Sequence, residues 1–211
     1  MKKLKKLIIA CDGESASGKS TAAKLISRKY DLFLINSGLI YRYASKIIIK
    51  NEPKDTIHFL KEKFKKITYR YIAKQHLHSE KISNHVAYLA KNKDIRNIVN
   101  KFQKKIIKNN KKICVEGRDI ASKILAKKPK YDLAFFFKCN LSVAAHRRWI
   151  DLKKKTSLKK VKTALHNRTQ MDKKRKNSPL IKVKDSILIR TDRLTKKQVL
   201  QKMSKYVDQL N

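Results

Sequence analysis

Glycine is nearly missing from this sequence. It occupies four of 211 positions, where average usage of about 7% would give roughly 15. A chain that avoids the residue this strongly keeps it where the backbone requires it. The four lie in three short stretches: Gly13 and Gly18 in "GESASGKST", Gly38 in "NSGLIYR" and Gly117 in "VEGRD". Cysteine is also scarce. Cys11, Cys114 and Cys139 each sit in or beside an apolar run without metal-ligand spacing, and they read as buried thiols of a cytoplasmic protein. No apolar run approaches the ~18 residues of a membrane-spanning helix. The start "MKKLKKLIIAC" imitates a lipoprotein signal, but its apolar part, Leu7 to Cys11, is shorter than the ~7–15 residues such a segment needs. It also runs directly into the first glycine-bearing stretch. No membrane partner is expected.

Acidic residues are the third shortage, 16 against 55 Lys and Arg, for a formal charge of +39. Such a field attracts polyanions, so nucleic-acid binding has to be weighed. The positive residues are spread along the chain, in "KKLKK", "KEKFKK", "KKIIKNNKK" and "DKKRK", and neither zinc-finger spacing nor an aromatic RNA-binding signature accompanies them. Solvated surface lysines account for this pattern, and no specific nucleic-acid partner is expected.

What is present is a phosphate-binding loop. Gly13, Gly18, Lys19 and Ser20 fit G-x-x-x-x-G-K-[ST], after the apolar run "LIIACD" and before the helical pattern "AAKLISRKY". In this context the backbone of Gly13, Glu14, Ser15, Ala16, Ser17, Gly18, Lys19, Ser20 and Thr21 turns its N–H groups and the following helix N-terminus toward phosphate oxygens. Lys19 brings a point charge to the β and γ oxygens, and the Ser20 hydroxyl suits Mg²⁺. The ligand predicted is a nucleoside triphosphate with Mg²⁺.

Short apolar strands recur between helical patterns at 5–11, 32–35, 112–116, 131–138 and 186–191. The alternation predicts an α/β fold with a central parallel sheet flanked by helices, and burial on both faces explains the continuous apolar runs. No internal repeat is visible. At this length the chain supports one substantial core and a small insert. Residues 51–110 exceed a normal crossover and read as an inserted substrate-binding subdomain, in which "ITYRYI" predicts a strand and "ISNHVAYLAK" and "DIRNIVNKFQKKI" predict helices. Residues 153–180 are polar, lysine-rich and poor in apolar periodicity, which suggests a mobile flap. Within them Arg168, Asp172 and Arg175 fall at i, i+4 and i+7, one helical face. Glu116 ends an apolar strand, a placement suited to a carboxylate that reaches Mg²⁺ through water.

With the P-loop, "NSGLIYR", "VEGRDI" and "RTQMDKKRKNSPL" in that order, the chain resembles the bacterial cytidylate kinases over nearly its whole length. The resemblance implies a single P-loop kinase domain: core 1–50, 111–152 and 181–211, an insert for the nucleoside monophosphate at 51–110, and a mobile lid at 153–180. It implies phosphorylation of CMP and dCMP by Mg·ATP, carried out by a cytoplasmic monomer. Arg42 and Arg118 would clamp the acceptor phosphate, and Ser37 would contact the nucleotide. Arg168 and Asp172 would lie near the ribose with Arg175 reaching phosphate, Arg147 and Arg148 would close over the transferring group, and Asp119 with Arg96 would read cytosine.

The chain departs from the family pattern at three points. Ala87 stands where the family commonly has serine, His78 lies near a family arginine position, and Glu116 replaces a more usual Asp. The first two, with an insert shorter than in the longer family members, bear on base selection and monophosphate positioning, and Glu116 bears on the Mg²⁺ site. Two alternatives stay open: a P-loop kinase of another small acceptor such as UMP, AMP or shikimate, and a basic nucleic-acid-binding protein with a vestigial P-loop.

Overall fold

Five strands form one sheet in the computed structural model, which describes residues 5–210. They are β1 (Leu7–Gly13), β2 (Phe33–Asn36), β3 (Lys112–Glu116), β4 (Leu133–Lys138) and β5 (Ile187–Arg190), in the spatial order β2-β3-β1-β4-β5. The pairs β1 with β3, β1 with β4 and β4 with β5 are parallel. All five strands stand where the apolar runs place them, shifted by a residue or two at their ends. The first four residues of the basic N-terminal stretch lie outside the described residues.

The chain divides into two compact units, Met1–Leu34 with Asn110–Asn211, and Ile35–Asn109. In the first unit every residue of β1 is buried. Its apolar side chains share a core with Ile26 of α1 (Lys19–Tyr30), Phe135 and Phe137 of β4, and Met203 and Val207 of α9 (Lys196–Asp208). Burial on both faces explains why the β1 sequence does not alternate. Gly13 pairs with Phe137 of β4, and a Cβ at Gly13 would lie 2.4 Å from the Phe137 carbonyl oxygen. A close strand approach therefore requires glycine at the mouth of the phosphate loop. The same unit carries α7 (Leu141–Asp151) and α8 (Leu158–Lys174), which pack on each other.

The second unit is helical outside β2. It holds α2 (Ser37–Asn51), α3 (Thr56–Lys65), α4 (Tyr69–Ala73), α5 (Glu80–Leu89) and α6 (Lys93–Lys108). Phe64 of α3 packs edge-on against Tyr43 and Phe102, which ties α2, α3 and α6 together. The expected insert, 51–110, falls in this unit except for its last residue, and α2 precedes it there.

One sequence expectation needs correction. "ITYRYI" forms α4 and not a strand: its alternation fits a period of two, but Tyr69 and Ile72, three apart, are the residues buried, and the Thr68 hydroxyl caps the turn by accepting from Tyr71 N at 3.3 Å. The stretch poor in apolar periodicity is mostly the 17-residue helix α8, begun by the Ser157 cap, in which Val161 and Asp172 are the buried residues. So little apolar burial leaves almost no periodic signal. Among the described residues, no helix is long and apolar enough to cross a membrane.

Candidate active site

The phosphate loop joins β1 to α1. Gly18 caps α1 with φ of 78°, a left-handed conformation that favours glycine, and it brings no side-chain bond to the first-turn N–H groups. Ala16 is also left-handed, with φ of 54°. The loop is braced from both sides: Glu14 N donates to Phe137 O at 3.1 Å, the Ser17 hydroxyl donates to Glu14 O at 2.9 Å, and the Thr191 hydroxyl donates to Ser17 O at 3.0 Å. Lys19 is buried, and its Nζ lies 3.2 Å from Glu116 Oε2 at the end of β3. Ser20 and Thr21 are exposed on the first turn of α1.

Beside the loop, three guanidinium groups converge on one carboxylate. Asp172 of α8 is 3% exposed. Its Oδ2 accepts from Arg118 Nε at 2.8 Å and lies 3.5 Å from Arg168 Nε, and its Oδ1 lies 3.4 Å from Arg175 Nη1. Burial pushes the Asp172 carboxyl up, but the charges of Arg118, Arg168 and Arg175 outweigh it and hold the group below the usual carboxylate range. Arg118 also donates to the Ser15 hydroxyl at 3.3 Å, which links the cluster to the phosphate loop. Arg175 Nη2 lies 3.4 Å from Asp119 Oδ1. The helix ends one residue before Arg175, whose backbone is extended, so the three residues do not share a continuous helical face. The turn that follows brings Arg175 back: its Nε donates to Ser178 O at 2.5 Å, and Leu180 N donates to Asp172 O at 2.8 Å.

The loop that presents Arg118 and Asp119 hangs on Asp12, a residue that sequence reasoning passed over. Gly117 N donates to Cys11 O at 2.9 Å, and the Asp12 carboxylate accepts from Ile120 N at 2.9 Å and Ala121 N at 2.8 Å. Those amides open a single π-helical turn, Ile120–Ile124. Burial pushes the Asp12 carboxyl from 3.8 up to about 6, against the two N–H bonds and the Lys19 charge, with the Asp119 charge adding to the rise. Folding raises this pKa, so the contribution to stability is fully present below pH 3.8 and is lost as pH rises through about 6. Relative to Asp12→Asn, which does not titrate, the unaltered protein should lose about 2–3 kcal/mol between pH 4 and 7. Denaturant unfolding of both chains at the two pH values reads this, and a difference independent of pH would contradict it.

The arginines of α7 part company. Arg147 Nη2 donates to Thr191 O at 2.9 Å and to Asp192 O at 3.2 Å, so it braces the turn just after β5, where Thr191 holds the phosphate loop. Arg148 is exposed. Cys11 and Cys114 are buried free thiols 3.8 Å apart on neighbouring strands, and burial pushes the Cys11 thiol well up, away from the reactive thiolate.

Ser37, Arg42 and Arg96 belong to the second unit. The Ser37 hydroxyl donates to Gln103 Oε1 of α6. Arg42 Nη1 donates to Leu77 O at 3.2 Å and to the Ser83 hydroxyl at 2.9 Å. His78 follows directly on Leu77, and Ala87 stands four residues after Ser83 on α5. Arg96 is 3% exposed, donates to Ala90 O at 3.2 Å and places its guanidinium 5.8 Å from the centre of the Tyr41 ring. Gln103 and Ser83 carry no motif of their own, and Tyr41, although it lies within "NSGLIYR", gives no sign there of its place against Arg96; only their contacts reveal them.

A cytidylate kinase family model matches residues 9–209. A cytidylate kinase of Mesomycoplasma hyopneumoniae strain 7448 is 32% identical over 218 aligned residues, covering 96% of this chain and 94% of that protein. Among solved structures, an uncharacterized protein from Eubacterium ventriosum superposes with a TM-score of 0.59 at 19% identity, covering 97% of this chain and 99% of that one. A shikimate kinase from Bacteroides thetaiotaomicron superposes with a TM-score of 0.52 at 10% identity, covering 96% of this chain and 98% of that one. At these identities the two structures speak for the fold alone. The phosphate loop on a parallel α/β sheet, the arginine cluster beside it and a family match along almost the entire sequence lead to one conclusion: the chain belongs to the cytidylate kinase family.

Proposed function

We propose that this protein transfers the γ-phosphoryl group of ATP to CMP and dCMP, giving ADP and CDP or dCDP, as a cytoplasmic monomer. The observation that carries the reading is the set of three guanidinium groups fixed on buried Asp172, one of which also holds Ser15 of the phosphate loop. The acceptor phosphate is anionic at pH 7, so its oxygen needs no general base. The obstacle is bringing two polyanions together, and fixed, pre-oriented cations remove it.

An acceptor phosphate oxygen attacks the γ-phosphorus in line, the new P–O bond forms, and the bond to the β–γ bridging oxygen breaks with its electrons leaving on ADP. Lys19 and the backbone of residues 13–21 hold the donor phosphates. Arg118 binds the acceptor phosphate, Arg175 reaches the transferring group, and Asp172 orients both. Arginine suits these places because its fork is always charged and grips phosphate oxygens in pairs. By the family pattern Arg168 and Asp172 address the ribose, Arg42 the acceptor phosphate, Ser37 the nucleotide, and Asp119 and Arg96 the base. Exposed Arg148 is available to close over the transferring phosphoryl, whereas the contacts of Arg147 favour a bracing part. Residues 51–110 serve as the monophosphate-binding insert and residues 153–180 as the lid.

Mg²⁺ fits this donor set. It keeps several waters and binds through few protein oxygens plus substrate phosphates. The exposed Ser20 hydroxyl would hold it directly, with Glu116 reaching it through water. When bound, it neutralises charge on the β and γ oxygens.

Phosphorus NMR of the protein with ATP, Mg²⁺ and CMP tests the reading. The β-phosphate resonance of CDP should grow in step with ADP, whereas ATP loss to inorganic phosphate alone would refute phosphoryl transfer to CMP.

A further inference from the structure

One residue of the phosphate loop has the wrong sign for its place. Glu14 is the first residue after Gly13, in a loop whose amides and lysine collect negative charge, and its side chain is 13% exposed. An uncancelled carboxylate there repels a triphosphate, and partial burial limits the solvent that could screen it. The structure supplies a counter-charge from the other end of the sequence: Lys173 of α8 places Nζ 2.7 Å from Glu14 Oε1. Four residues earlier on the same helix, the Thr169 hydroxyl accepts from Ser15 N at 3.4 Å. One face of α8 thus touches two successive residues of the phosphate loop, and Asp172 of the arginine cluster sits between the two contacts in sequence. The Lys173 side chain is 41% exposed, and an ion pair of that kind adds little to fold stability. Its effect lies in the charge it removes from the loop.

We propose that Lys173 is a positioning residue for the nucleoside triphosphate: by cancelling Glu14 it keeps the phosphate loop electropositive. The inference rests on the reading of this loop as the ATP site. α8 is then coupled to the donor side of the reaction through Lys173 and to the arginine cluster through Asp172.

Calorimetric titration of ATP into the full chain tests this, with Lys173→Ala, Lys173→Arg, Glu14→Gln and the double variant Glu14→Gln/Lys173→Ala. Lys173→Ala should weaken ATP binding about five- to tenfold, equivalent to about 1–1.4 kcal/mol. Lys173→Arg should bind within about twofold of the unaltered chain, because it keeps the charge within reach of Glu14. The double variant should recover most of the loss, because the acid that needed cancelling is gone. CMP affinity and the melting temperature should move little in all four, which separates this role from a structural one. Unchanged ATP binding in Lys173→Ala, or a double variant as weak as Lys173→Ala, overturns the proposal. Since ATP binding is the readout, a chain that shows this coupling yet leaves CMP unphosphorylated would sink the acceptor assignment and spare Lys173. A chain that phosphorylates CMP without the coupling would do the reverse.

Discussion

Lys19→Met should lower kcat by about 10²- to 10³-fold, the usual loss when one fixed charge on the developing transition state is removed. The structure adds a second expected effect. Lys19 is the ion-pair partner of Glu116, and both side chains are buried, at 8% and 2% exposure. Removing the lysine leaves a buried carboxylate without its cation, and breaking such a pair typically destabilises by about 3–5 kcal/mol. The single variant should therefore be both slow and less stable. Adding Glu116→Gln takes away the orphaned charge, so the double variant should regain stability while its kcat stays low. Compared with Glu116→Gln alone, which reports the carboxylate's own part, the double variant separates the chemistry of Lys19 from folding, which the single variant does not. Near-normal turnover in a folded double variant would remove Lys19 from the reaction.

The second large effect concerns the base. Cytosine offers an N4 amine donor beside N3 and O2 acceptors, and a carboxylate accepting from N4 is a well-matched pair. Uracil reverses the pattern at positions 4 and 3, so a site built for cytosine leaves buried polar groups mismatched. Asp119→Ala should reduce the CMP-to-UMP ratio of kcat/KM by about 10²-fold or more. Because Asp119 also lies 3.4 Å from Arg175, the variant should slow both substrates, and the ratio is the quantity that reports base reading. A hydroxyl at position 87 is expected to act on the same property. α5 already presents the Ser83 hydroxyl to Arg42, and position 87 is the next on that line of the helix. Ala87→Ser should raise the ratio about fivefold, the worth of one neutral hydrogen bond of about 1 kcal/mol. An unchanged ratio in Asp119→Ala would remove the cytosine assignment without touching the kinase chemistry.

The phosphate loop and the sheet were legible because their signals are local: spaced glycines, and apolar runs that a parallel sheet buries on both faces. The arginine cluster was half legible. Arg168 and Asp172 are one turn apart and announce each other, whereas Arg118 lies 54 residues from Asp172 and joins it only through the fold. Asp12 gives no hint in sequence, because its partners Ile120 and Ala121 are more than 100 residues away and contribute only backbone N–H groups, which every residue but proline carries. Arg147 is half legible for a related reason: beside Arg148 it reads as a second phosphate-binding arginine, and nothing local to it announces the backbone carbonyls just after β5 that its guanidinium meets. Lys173 disappears among the many surface lysines until Glu14 is seen 2.7 Å away. α4 was misread because six residues of alternating character satisfy a strand, and the Thr68 cap that decides for a helix is a single hydrogen bond.

The measurement that bears most directly on the whole account is a panel of acceptors offered with Mg·ATP to the unaltered protein, with ADP release read through a coupled assay. CMP, dCMP, UMP, AMP and shikimate would be compared by kcat/KM. CMP and dCMP should lead, and UMP should trail CMP by well over tenfold. AMP and shikimate should stay near the rate without acceptor. Preference for UMP, AMP or shikimate would contradict the assignment of the acceptor, and ADP release indifferent to every acceptor would contradict the kinase chemistry itself.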